Sequence, residues 1–358
     1  MAYTQFLVSK NDIHSTQVVE ATKTPELGEG EVLLAVDRFA FTANNITYAA
    51  FGEVMKYWDF FPAENGLGCV PVWGFADVVE SRCGGIPVGE RFYGYYPMAT
   101  HLRVAPGKLS PAGFFDASPH RAHLSAVYNY YMNTAADPGY NKGGEDIQMI
   151  FKPLFMTSFL IDDFLEDNNF FGAKQIVLSS ASSKTAYGLA FLLARREGTT
   201  VIGLTSAGNV DFVENLGSYG QTVPYDAADT LDATLPTVYV DMAGSGDVRS
   251  SVHNHFNDNL KYSCSVGASH WDKMGTNDGL PGPKPTLFFA PAQGKKRSED
   301  WGQDGLMKRS AEAWAAFTKK SGEWTTVVHE AGNDAITRVY TETLEGKANP
   351  KNGYILKF

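Results

Sequence analysis

The chain has 358 residues, 44% hydrophobic, 13% aromatic and 20% charged, and its 30 Lys and Arg against 40 Asp and Glu leave a net charge of −10. That length allows about two domains with a large core, and the 23 Phe, 17 Tyr and 6 Trp at low charge exclude a disordered chain. The acidic balance argues against nucleic-acid binding, which needs a basic face; Lys295-Lys296-Arg297, the only basic triplet, reads as a solvated loop.

Cys69, Cys83 and Cys264 form no C-x-x-C pair, so neither a disulfide framework nor a cysteine-built zinc site is expected. The first ten residues lack a basic region followed by an apolar run. No stretch approaches the roughly 20 apolar residues that span a bilayer. The expectation is a soluble cytoplasmic protein in a reducing compartment, with no membrane partner.

In chain order, residues 31–37, 75–80 and 88–95 read as strands separated by glycine turns, which predicts a mostly antiparallel β unit over the first 110 residues. From about residue 145 strands alternate with helices, the pattern of a parallel sheet wrapped by helices. Strands are expected at 175–179, 200–205, 237–241 and 262–266, with helices at 187–196, 210–216 and 248–256. A turn-rich break at 279–285 precedes a strand at 286–290, and Met307, Ala311, Trp314 and Phe317 fall at helical spacing, as a core stripe would. Residues 353–358 read as a terminal strand.

The most informative stretch is 176–186, IVLSSASSKTA, a strand turning directly into a helix. In dinucleotide sites such a turn presents backbone N–H groups and a helix N-terminus to a pyrophosphate, with glycines allowing close approach. At the G-x-x-G-x-x-G positions this chain has Ser180, Ser183 and Ala186. Serine is small and its hydroxyl can donate to phosphate, so Ser180, Ser182, Ser183, Lys184 and Thr185 are candidate cofactor contacts; a plain strand–helix connection is the alternative. After the next strand, Thr205, Ser206 and Asn209 stand where an NAD site would place an acid against the ribose. Small hydroxyl and amide groups leave room for a 2′-phosphate, which favours NADP(H), with Lys184 as a charge partner.

Taken together, EGEVLLAV (29–36), FTANNITY (41–48), VGERFYG (88–94), VIGLTS (201–206) with FVENLG (212–217), and GYILK (353–357) resemble, in order, motifs of the medium-chain dehydrogenase/reductase superfamily. The likeness is to its zinc-free quinone oxidoreductase and enoyl reductase branch, as a divergent member. It implies an α/β fold with a Rossmann-type doubly wound parallel sheet inserted in a mostly β, GroES-like catalytic domain. The domains are then expected at 1–140 with 300–358, and at 141–299. The zinc-dependent relatives use an early Cys, a His-Glu pair and a four-Cys loop; here residues 43–45 are ANN, 73–76 are WGFA, and the cysteine loop is absent.

Without a metal the chemistry relies on hydride geometry and a hydrogen-bond donor. The resemblance points to Tyr57 and Tyr48, which flank Gly52, as donors and to Asn45 as an orienting group, with aromatic packing and a turn-stabilising amide as the respective alternatives. It also implies a loop at 151–159 in which Thr157 faces the nicotinamide. Val266 and Gly267 fall at the carboxyl end of a later strand, the edge where doubly wound sheets bind ligands, and Phe288 and Phe289 are candidates to lie beside the nicotinamide, with core packing as the alternative for each. His253, His255 and His270 suggest a cluster, but positions two apart do not share a helix face.

The leading expectation is an NADP(H)-dependent reductase of an apolar enone, quinone or carbonyl compound, bound in a cleft between the two domains. The aromatic run 51–61 motivates the apolar, aromatic substrate. A fold repurposed for lyase or oxidative-cleavage chemistry, or for binding without catalysis, is the alternative that the lost glycines raise. The family resemblance implies a homodimer, with 286–290 as the pairing edge.

Overall fold

The computed structural model describes residues 2–137, 139–267, 273 and 275–358. The chain divides into one unit of Met1–Ile150 with Thr326–Phe358 and a second of Phe151–Thr325.

The first unit is built on a nine-stranded sheet. Its order runs Thr326–Ala331, Asn352–Lys357, Val32–Phe41, Pro71–Ser81, Arg91–Pro97, Tyr130–Asn133, Gly113–Asp116 and Pro106–Ser110, with His101–Val104 also on Val32–Phe41. Neighbours are antiparallel except the first two, which are parallel and are joined through a helix, α7 (Asn333–Leu344). The last strand pairs with Val32–Phe41, Tyr354 opposite Phe41, so the chain's end completes a sheet that its beginning started. Helix α1 (Ala43–Ala50) follows Val32–Phe41 directly.

In the second unit the strands Gln175–Leu178, Thr200–Thr205, Gln221–Pro224, Thr237–Asp241, Leu260–Ser265 and Thr286–Leu287 form one sheet, parallel throughout. Counted along the chain their spatial order is 3-2-1-4-5-6. Alternate residues of each strand face opposite sides. Ile176, Leu178, Val238 and Val240 pack in one core with Leu189 and Ala190 of helix α3 (Lys184–Leu193), while Val177, Ile202 and Tyr239 pack in the other. Both faces are covered, which is why these strands read as nearly continuous apolar runs.

Helices α2 (Glu145–Asp167), α4 (Val210–Asn215), α5 (Gly246–Phe256) and α6 (Ala290–Trp324) complete the set. Residues 151–159, expected as a loop, lie inside α2. Pro153 removes one helical hydrogen bond, but Phe151, Leu154 and Phe155 around it are buried, and that burial outweighs the break. Residue 300, where the return to the β-rich domain was expected, lies inside α6, and the second unit extends to Thr325. The expected stripe on α6 is split. Phe317 is fully buried but Met307 is 59% exposed, and Gly302 at φ +72° kinks the helix between them and its start. Among the described residues no helix is long and apolar enough to cross a membrane.

His253 on α5 is buried and bonded at both nitrogens. Nδ1–H donates to the Pro281 carbonyl at 2.9 Å, which leaves Nε2 to accept from the Ser263 hydroxyl at 2.9 Å. Burial lowers its pKa from the ordinary 6.5. The folded state therefore resists a proton that the unfolded chain accepts, and stability present above pH 6.5 is lost as pH falls below it. The urea midpoint is expected to drop between pH 7 and 5 in the native protein, with His253→Asn showing a flatter profile; equal slopes would remove His253 from the account.

Candidate functional site

The carboxyl end of the central strand Gln175–Leu178 is laced to that of Thr237–Asp241. Ser179 Oγ donates to Asp241 Oδ1 at 2.8 Å and accepts the N–H groups of Met242 and Ala243 at 3.0 Å. Asp241 also accepts from Gly244 N–H at 2.9 Å and pairs with Arg249 at 3.2 Å. This is the place where the strand order reverses, the edge at which doubly wound sheets bind ligands.

The serine turn starts here. Ser180 adopts φ +50°, and its N–H donates to the Tyr225 hydroxyl at 2.9 Å. The Tyr219 hydroxyl donates to the Ala181 carbonyl at 2.9 Å. A Cβ at Gly203 would lie 2.9 Å from both Ala181 Cβ and the Tyr219 ring, so glycine is required beneath the turn. Ser183 caps α3 by accepting from Ala186 N–H, and Ser182 Oγ accepts from Asn209 Nδ2 at 3.3 Å.

The structure thus brings Ser180, Ser182, Ser183, Lys184 and Thr185 together with the segment from Thr205 through Ser206 to Asn209, which contains no carboxylate. Burial pushes the Lys184 ammonium down to about 8. Val266 and Gly267 donate their N–H groups to the Asp241 carbonyl at 2.9 and 3.2 Å, at the same sheet edge. Phe289 lies at the start of α6, 52% exposed, whereas Phe288 packs against Phe164. Thr157 Oγ1 donates to Pro153 within α2. Its neighbour Ser158 reaches α3, donating to the Thr185 carbonyl at 2.8 Å; only its position beside Thr157 hinted at this.

In the first unit, Tyr48 on α1 and Tyr57 meet with ring centroids 4.5 Å apart. Tyr95 and Tyr128 join them, 4.7 Å from each other and 5.6 and 6.0 Å from Tyr48 and Tyr57 respectively, with Trp73 5.1 Å from Tyr95. Gly52, between the two tyrosines in the chain, makes room for a different ring: a Cβ there would fall 2.0 Å from the Trp58 ring. Arg121, fully buried, holds the segment by donating from Nε to the Phe60 carbonyl at 3.2 Å, with Asp116 3.1 Å away and the Phe61 ring beneath it. Burial raises the phenol pKa of both Tyr48 and Tyr57, so both remain protonated donors. Asn45 is committed at both ends of its amide, accepting from Thr42 N–H and donating to the Pro71 carbonyl, each at 2.8 Å. Tyr95, Tyr128, Trp73 and Arg121 had no signal in the sequence beyond the abundance of aromatic residues.

His253 and His255 serve different partners, His255 donating from Nε2–H to the Leu231 carbonyl at 2.8 Å, and His270 lies outside the described residues. Among the described residues no three His, Cys, Asp or Glu side chains are grouped to hold a metal ion.

A 3-2-1-4-5-6 parallel sheet, in a unit inserted between the two chain segments of a β-rich unit, is the Rossmann-type doubly wound arrangement. The chain itself belongs to the family described as "Protein of unknown function (DUF2855)", which it matches over residues 39–349. Among solved structures it is similar to CurA from Vibrio vulnificus in complex with NADPH, at 12% identity over 99% of this chain and 98% of that one, with a TM-score of 0.66. A putative NADPH:quinone reductase from Mesorhizobium loti gives 11% identity, 100% and 98% coverage and a TM-score of 0.63. The Etr1p/NADP/crotonyl-CoA complex gives 9% identity, full coverage of both chains and a TM-score of 0.56. No curated protein matches the sequence.

Proposed function

We propose that the protein is an NADP(H)-dependent oxidoreductase that acts without zinc on an apolar enone, quinone or carbonyl compound. The observation that carries this reading is the serine turn at the reversal of strand order, leading straight into the amino terminus of α3. The residues there fit a dinucleotide. Ser182 and Ser183 place hydroxyls at the turn, and a helix amino terminus attracts phosphate. The lack of an acid from Thr205 to Asn209, with Lys184 close in sequence to the turn, fits a 2′-phosphate. Val266, Gly267, Phe289 and Thr157 are proposed to line the nicotinamide side. CurA with NADPH and Etr1p with NADP and crotonyl-CoA support the choice of cofactor and of a conjugated carbonyl substrate.

When bound, NADPH supplies the hydride. Tyr57 donates a hydrogen bond to the oxygen on which negative charge develops, with the buried Tyr48 packed against its ring. The half-buried rings of Trp73 and Tyr128, packed on the fully buried Tyr95, offer a flat apolar face for the substrate, while Asn45 fixes α1 beneath Tyr48.

Fluorescence titration tests the reading. NADPH is expected to saturate at micromolar concentration and to bind at least about tenfold tighter than NADH, since a lost charge-assisted contact is worth more than 1.4 kcal/mol. The preference should fade as pH rises through about 8, where Lys184 loses its proton. Absence of binding at high micromolar NADPH would overturn the proposal. Product formed from an enone without NADPH consumption would favour cleavage chemistry instead.

A further inference from the structure

We infer that Tyr225 is a positioning residue for the nucleotide turn, its hydroxyl holding Ser180 in a left-handed conformation that glycine would adopt unaided. The inference rests on the dinucleotide reading above and deepens it.

Ser180 at φ +50° occupies a region that residues with a Cβ disfavour. Glycine is the usual solution where a chain must turn this way beside a phosphate. Here two phenols hold the turn from outside. Tyr225 takes the Ser180 N–H at 2.9 Å, and Tyr219 gives its proton to the Ala181 carbonyl at 2.9 Å. Ala181 N–H also donates to the Leu204 carbonyl at 3.0 Å, and Ser183 N–H to the Ser180 carbonyl at 2.8 Å.

Tyr219 precedes, and Tyr225 follows, the strand Gln221–Pro224, which pairs with Thr200–Thr205 and so sits two strands from the turn. Gly203, midway between, clears the path, since any side chain there would strike the Tyr219 ring and Ala181. Burial pushes the Tyr225 phenol up to about 12, so the hydroxyl stays neutral under ordinary conditions. With the Ser180 amide satisfied by the protein itself, phosphate recognition is left to Ser182, Ser183 and the first turn of α3.

Tyr225→Phe removes the hydroxyl alone. It is expected to weaken NADPH binding about tenfold, the effect of one lost hydrogen bond with its attendant strain. Adding Ser180→Gly to Tyr225→Phe is expected to bring the Kd back to within about threefold of the native value, because glycine needs no support at that φ. A double variant as weak as Tyr225→Phe would overturn the inference and make the hydroxyl a direct nucleotide contact. Hydrogen exchange of the peptide 176–186, measured without nucleotide, reads the turn separately from binding. Faster exchange in Tyr225→Phe supports the positioning role even if NADPH fails to bind the native protein, in which case only the cofactor reading falls; unchanged exchange overturns it. Should Tyr225→Phe fail to fold, a double variant that folds supports the role, and one that does not overturns it.

Discussion

Glu145→Gln is expected to lower the stability of the protein by about 3–5 kcal/mol, the range for breaking a buried ion pair on one side. Glu145 is completely buried at the start of α2, and its two oxygens receive four donors. Oε1 accepts from Arg91 Nε at 2.8 Å and Tyr140 at 2.6 Å, and Oε2 from Arg38 at 2.6 Å and Arg91 at 2.8 Å. Glutamine keeps the shape but turns one acceptor into a donor facing other donors, leaving two guanidinium groups short of a counter-charge. Asp37 and Asp77, 2.6 and 2.9 Å from Arg91, compensate only in part because both are more exposed.

The same cluster fixes a pH dependence. Burial works against the Glu145 charge, but the hydrogen bonds from Arg91, Tyr140 and Arg38 outweigh it and hold the carboxyl at about 2, below the ordinary 4.5. Its contribution is therefore complete above pH 4.5 and is lost as pH falls through about 2. Urea unfolding of the native and Glu145→Gln proteins should show a wide gap at pH 7 that narrows in this acid range. Equal midpoints at pH 7 would show the cluster to be dispensable.

Tyr57→Phe is expected to reduce kcat about 100-fold, the low end of what a positioned proton donor contributes. Tyr57 is the better placed of the close pair because it is only half-buried, whereas Tyr48 lies in the core at 5% exposure. Burial raises both phenols, so neither ionises near neutrality, and kcat should stay flat from pH 6 to 9 in the native protein. With rings 4.5 Å apart the two act as one unit, and Tyr48→Phe added to Tyr57→Phe should cost far less than it does alone. Steady-state kinetics with an aryl enone decide the matter. A Tyr57→Phe kcat within about threefold of native would remove Tyr57 as the donor, since a general acid contributes far more than that.

The fold was legible where local chemistry and tertiary packing agree. The strands at 175–178, 200–205 and 237–241 are apolar because both faces of the sheet are covered, and the serine turn sits where a strand meets a helix. The loop that the resemblance implies at 151–159 is absent, because the burial of Phe151 and Phe155 carries a helix through Pro153. The aromatic site was half legible. Tyr48 and Tyr57 lie close in sequence, but Tyr95 and Tyr128 reach them through sheet register and a distant turn that no local pattern encodes. Glu145 was silent for the same reason, its partners Arg91 and Arg38 being 54 and 107 positions away.

A turn shaped by its own glycines keeps its form whatever happens elsewhere in the chain. The turn at Ser180 instead takes its form from a residue 45 positions downstream. The two positions are thereby tied in descent: a lineage that places glycine at 180 is free to lose the phenol at 225, while one that keeps serine is not. The order of substitution is constrained as well, glycine first and tyrosine second, so paired changes at these two sites are the covariation to expect among relatives of this chain.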